Sequence, residues 1–273
     1  MYKALENSLY VKEPDRYLLV RKRANAFNSN YTGSNIIQDD IFHILENYVS
    51  QQEKELELLR YPLGDDDFCA CTFIRSGSVF VLINSSMPLS KQIFAGAHEL
   101  YHLYNYFEDY DLNYQQHPSI LDSATMDDDT TRTEDMEANA FAGLILAPTR
   151  SLQEQMDIFH VHKENIRLKE ILGLMEIYAI PYKATVLRLF EDGIIDKEKA
   201  RHLFEISEHE IMAQCELTGR AQRWMRNTET DVAFGTLKEK MEIAVRLDAV
   251  DEGRYATDKE RIKQLIATVT NRY

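Results

Sequence analysis

From Ile36 onward the apolar residues Ile37, Ile41, Leu45 and Tyr48 recur at three- and four-residue spacing, the period of one helical face. The spacing predicts a helix that the polar stretch through Glu57 carries toward Arg60, where Pro62 and Gly64 stop it. Two short β-rich runs follow, Phe68 to Ile74 and Val79 to Ile83, and the intervening Arg75-Ser76-Gly77-Ser78 reads as a hairpin turn. The second run directly precedes a helix, and as a short strand beside a cleft it would offer unpaired backbone groups to an extended peptide. That helix opens near Pro88, whose missing N–H costs nothing in a first turn, and runs to about Phe107 with Ile93, Ala97, Leu100, Tyr101 and Tyr104 on one apolar side. Residues 108–131 form a long polar loop, and a further helix spans Thr133 to Leu146, ending at Ala147-Pro148.

Either side of this stretch the pattern differs. Residues 1–33 carry no clear period, and Arg16-Tyr17-Leu18-Leu19-Val20 fits a short strand or a turn of helix. Beyond residue 151 successive helices are predicted at 163–178, 183–191, 196–205, 207–226, 231–250 and 258–269, the last opened by a Thr257-x-x-Glu260 capping box. The expectation is an α+β chain: an N-terminal unit, 1–150, with a small β-sheet, followed by a helical C-terminal region, 151–273. Only 10 Gly and 6 Pro interrupt it, which suits long helices.

Composition narrows the functional classes. With 44% hydrophobic and 28% charged residues the chain is too apolar for disorder, and no apolar run reaches the roughly 18 to 20 residues of a membrane span. The N-terminus lacks the basic-then-apolar pattern of a signal peptide. Cys69, Cys71 and Cys215 are odd in number, and Cys69-x-Cys71 is neither a zinc knuckle nor a redox pair, so reduced thiols and a cytoplasmic protein are expected. The net charge of -14 is concentrated in residues 1–150, where 12 basic face 23 acidic side chains (-11); the remainder has 19 and 22 (-3). This balance argues against direct nucleic-acid binding and against a membrane surface as partner. Residues Ile166 to Ile195 resemble a helix-turn-helix in outline. Their charges cancel, however, with Arg167, Lys169, Lys183 and Arg188 against Glu170, Glu176, Glu191 and Asp192, which leaves a structural hairpin with no basic footprint.

The chemistry lies in His98-Glu99-Leu100-Tyr101-His102. On a helix the two histidines stand one turn apart on one face and can share a tetrahedral Zn2+, while Glu99 sits about 100° round, placed to take a proton as general base. Chance produces this pattern about 0.02 times in such a chain. A catalytic zinc needs a third protein ligand. Four residues compete: Glu137 on the following helix, Glu134 one turn before it, Glu108 and His117. Asn105 occupies the position where the extended motif ending near Glu108 would need glycine. His160-x-His162, His202 and His209 read as exposed side chains, and Tyr101, Tyr104 and Tyr106 as packing.

These segments together resemble the ImmA/IrrE-type zinc metallopeptidases. The likeness rests on Val79–Asn84, on Phe94-Ala95-Gly96-Ala97-His98-Glu99-Leu100-Tyr101-His102, and on Glu137-Ala138-Asn139-Ala140-Phe141-Ala142 leading to Leu146-Ala147-Pro148. It spans roughly residues 36–195, departing at Tyr101, where the family often has glycine, and at Ala147, where methionine is frequent. The resemblance implies a zincin-like fold, zinc held by His98, His102 and Glu137, Glu99 as base, and a protein substrate such as a transcriptional repressor. Two rival readings keep the site but not the chemistry: a metal-dependent sensor or scaffold, and a toxin–antitoxin or phage-defence component acting through protein contact. The acidic N-terminal half predicts faster cleavage of basic than of acidic peptides, with rates falling as salt rises. Mapping a peptide library at low and high salt checks this, and equal rates throughout would reject it.

Overall fold

The structure, a computed structural model, describes residues 3–64, 67–75, 77–109, 119–122, 133–226, 228 and 231–270. In chain order the elements are α1 (Lys3–Glu6), α2 (Leu9–Lys12), α3 (Pro14–Tyr31), α4 (Ile41–Gln51), β1 (Leu56–Tyr61), β2 (Phe68–Arg75), β3 (Ser78–Asn84), α5 (Leu89–Asp109), β4 (Ser119–Asp122) and α6 (Thr133–Leu146). They continue as α7 (Thr149–Ile158), α8 (Leu168–Tyr178), α9 (Tyr182–Glu191), α10 (Lys197–Phe204), α11 (Glu208–Thr218), α12 (Gln222–Met225), β5 (Ala233–Phe234), α13 (Leu237–Arg246) and α14 (Glu252–Thr270). The fold is α+β, with a small mixed sheet and a helical C-terminal region, as the pattern implied. No described helix is long and apolar enough to cross a membrane.

The sheet runs β4-β2-β3-β1-β5. The expected hairpin is present, β2 and β3 pairing antiparallel from Ala70↔Ile83 to Arg75↔Ser78. Two expectations need correction. The helix begun at Ile41 stops at Gln51, because Glu53 takes a left-handed backbone (φ 55) and turns the chain out of the helix. Residues Leu56–Tyr61 then form β1, parallel to β3 from Leu56↔Val79 to Tyr61↔Asn84. The backbone groups of β3 are therefore paired on both sides, and the strand expected to present a free edge is the middle of the sheet; its edges are β4 and β5.

Helix α3 also departs from expectation. Tyr17, Val20, Ala24 and Phe27 are buried at helical spacing, but Leu18 and Leu19, 50% and 64% exposed, blur that stripe in the sequence. Phe27 meets Tyr48 of α4, Tyr104 of α5 and Phe141 of α6 edge-on, with ring centroids 5.5 to 5.7 Å apart, so one aromatic cluster joins four helices. Small residues Ala138, Ala142 and Gly143 allow α6 to pack closely among its neighbours, and all three are buried. The hydrophobic core continues without a break across residue 150, from Leu5 to Trp224.

Arg188 of α9 ties these layers together. Its guanidinium donates to Glu191 Oε2 at 2.8 Å, Asp192 Oδ2 at 2.9 Å, Tyr17 Oη at 3.2 Å and the carbonyl of Ala147 at 3.3 Å, just beyond α6. A Cβ at Gly143 would lie 2.8 Å from Arg188 Cδ, so the stem passes where only glycine leaves room. Three of the charges that cancel in the sequence, Arg188, Glu191 and Asp192, cancel here by direct contact. Arg188→Met would leave two buried carboxylates unpaired and should cost about 3–5 kcal/mol of stability in equilibrium urea denaturation; a loss below about 1 kcal/mol would show that the cluster contributes little.

Candidate metal centre

Helix α5 carries His98, Glu99 and His102 into the interior, where they are 0%, 0% and 2% exposed. The i, i+4 spacing puts the two rings on one face, and their Nε2 atoms lie 3.1 Å apart. Each ring is turned by a contact from α6. Asn139 Oδ1 stands 2.9 Å from His98 Nδ1, and Glu134 Oε1 stands 3.2 Å from His102 Nδ1. Both α6 atoms are acceptors, so each Nδ1 carries a proton. A lone pair is then left on Nε2 unless the ring is protonated twice.

Two lone pairs facing each other at this distance repel unless a proton or a cation lies between them. Burial, reinforced by the His102 charge, holds His98 well below the usual histidine range, against the opposing effect of the Asn139 bond. Burial also works against protonation of His102, but the hydrogen bond to Glu134 and the charges of Glu99, Glu134 and Asp135 outweigh it and raise that ring. The carboxylates of Glu99, Glu134 and Asp135 around His102 thus favour positive charge at this place, as a cation would need.

Asp135 completes the group. Its Oδ1 lies 3.8 Å from His102 Nε2, and among the described residues the ligand atoms of His98, His102 and Asp135 all fall within 4.8 Å of one another. Two imidazoles and a carboxylate are a donor set suited to zinc. The carboxylate of Glu99 is near enough to β2 that its charge, after burial, contributes to pushing the Cys71 thiol up to about 11.

Glu137, expected as third ligand, is engaged elsewhere. Its Oε1 lies 3.0 Å from Arg16 Nε of α3, and its Oε2 accepts a 2.7 Å hydrogen bond from Tyr101 Oη. At about 100° per residue, Glu137 stands some 200° round α6 from Asp135. A helix face that presents Asp135 to the histidines turns Glu137 away. The residue that departs from the family pattern, Tyr101, is the one that holds it. Of the other candidates, Glu134 contacts Nδ1 of His102, Glu108 is exposed at the end of α5, and His117 lies outside the described residues. His160, His162, His202 and His209 are exposed, and Tyr104 packs in the aromatic cluster. Asp135 and Asn139, which the structure brings to the two histidines, were not among the residues singled out from the sequence. A signal existed: Asp135-x-x-x-Asn139 repeats the spacing of His98-x-x-x-His102, so each helix presents its pair on one face.

The family described as the IrrE N-terminal-like domain, Peptidase_M78, matches residues 52–211, which is 160 of the 273 residues. No curated protein and no solved structure matches the chain.

Proposed function

The chain belongs to the IrrE N-terminal-like peptidase family, and from that premise we propose that it is a zinc endopeptidase whose metal is held by His98, His102 and Asp135. The observation that carries this reading is the convergence of the three side chains within 4.8 Å, with both Nδ1 atoms already engaged by α6. Asp135 replaces Glu137 in the ligand set because Glu137 is bound to Arg16 and Tyr101. When bound, zinc supplies Lewis-acid polarisation of the scissile carbonyl and lowers the pKa of water toward neutrality. Asn139 and Glu134 keep the imidazoles oriented, as carboxylate and amide partners of metal-binding histidines do.

Glu99, adjacent to His98 and fully buried, accepts the proton of the attacking water on its carboxylate and returns it to the departing amine. In this reading residues 1–150 are the catalytic unit and residues 151–273 cover it, in a cytoplasmic protein. The substrate is a protein; its identification as a transcriptional repressor, whose cleavage would relieve repression, is supported by the family resemblance alone.

Metal analysis separates the candidate ligands. The purified protein should bind one zinc, Asp135→Ala should weaken that binding by more than about 100-fold, and Asn139→Ala by about 10- to 100-fold. Glu137→Gln should leave metal affinity unchanged and lower only thermal stability. Loss of metal from Glu137→Gln with retention in Asp135→Ala would reverse the assignment. Glu99→Gln should keep fold and metal while reducing peptide cleavage by about 10²- to 10⁴-fold, since the amide cannot take the proton. Undiminished cleavage by that variant would remove Glu99 from the mechanism.

A further inference from the structure

A cavity of about 370 Å3 lies where the start of α5, helix α6, helix α9 and the helices after it meet. That volume falls within the range of pockets that take small ligands or large side chains. Its wall is mainly apolar, with Met87, Phe94, Leu187, Phe204, Ile211 and Met225 among the contributors. The charged groups Arg188 and Glu191 reach the wall as well, but they are bonded to each other at 2.8 Å and offer no unmatched charge to an occupant. Lys91 and Lys183 line it too and are exposed.

The cavity is linked to His98 through two of its wall residues, Ala95 and Asn139. Phe94 and Ala95 precede His98 by four and three residues on α5, one helical turn or about 6 Å along the axis. Asn139, which contacts His98 Nδ1, is itself part of the wall, and Gly143 continues the wall one turn further along α6. The cavity therefore continues the histidine face of α5 and the Asp135–Asn139 face of α6 by about one helical turn. On α9, Ala184, Leu187, Arg188 and Glu191 lie along one stripe and close the far side.

We infer that this cavity is the specificity pocket of the peptidase, receiving one large apolar side chain, such as Leu, Met or Phe, from a residue that flanks the scissile bond. The inference rests on the peptidase reading above and adds the class of substrate to it. The C-terminal helices then acquire a defined role, because residues 181–225 supply the outer wall of the pocket and the size of the side chains at 184 and 187 sets what fits.

Two measurements test it on the full chain. The protein contains a single tryptophan, Trp224, buried and adjacent to Met225 of the wall, so its fluorescence reports occupancy. Titration with N-acetyl-leucinamide or N-acetyl-phenylalaninamide should change that emission at least about ten-fold more effectively than N-acetyl-aspartamide. Peptide-library cleavage should show a preference of similar size for large apolar residues at one position beside the cut. Ala184→Phe and Leu187→Phe, checked for folding by thermal melting, should abolish amide binding and shift cleavage toward Gly and Ala at that position. Cleavage without positional preference, or a preference untouched in both variants, would overturn the pocket and leave the peptidase reading standing. Amide binding in the cavity by a protein that cleaves no peptide, or amides that bind without competing with peptide cleavage, would overturn the substrate role in favour of a separate ligand site. The first of these two results would also reject the peptidase reading.

Discussion

The close contact between α5 and α6 sets the geometry of everything at the candidate centre. Two histidines on one helix face provide donors but do not fix how the rings are turned about their own bonds. Asn139 and Glu134 do that, one acceptor for each Nδ1, from the face of α6 that packs on α5. A shift of α6 that moved these acceptors out of hydrogen-bond range would free both rings, and the two Nε2 atoms would no longer be held 3.1 Å apart.

That contact is held from outside by groups distant in sequence. Helix α3 packs Phe27 against α6 and the aromatic cluster, and its Arg16 takes one oxygen of Glu137 while Tyr101 of α5 takes the other. The result fixes the rotation of α6 about its axis as well as its distance from α5. Arg188 binds the carbonyl of Ala147, just after α6, and joins it to Tyr17 of α3 and to the carboxylates of α9. Breaking the Arg188 contacts would loosen the helix that carries Asp135 without touching any candidate ligand.

The segment after α11 adds a second restraint. Gln92 of α5 donates to Thr228 Oγ1, Ser85 Oγ donates to the carbonyl of Asp231, and β5 pairs with β1 through Leu59↔Phe234. At Gly235 (φ 55) a Cβ would run into Glu57, and the chain turns there so that Thr236 can bond the Glu57 carboxylate through its N–H at 2.8 Å. The start of α5 is thereby gripped by the C-terminal region, which also walls the apolar cavity beside His98. The helices past residue 151 thus take part in shaping the site.

The sequence by itself determined what depends on neighbours within a turn or two. The His98–His102 face, the hairpin of β2 and β3, and the span of α6 were legible because helical and strand periods are local properties of the chain. Helix α3 was not, since two exposed leucines obscured a stripe whose meaning comes from contacts with α4, α5 and α6. Strand β1 was not, since what makes Leu56–Tyr61 a strand is its pairing with β3. Which of Asp135 and Glu137 lies nearer the histidines belonged wholly to the tertiary structure. Both are carboxylates on one helix two residues apart, and only the rotation of that helix against α5, held by Arg16 and Tyr101 at Glu137, decides which of them meets the histidines.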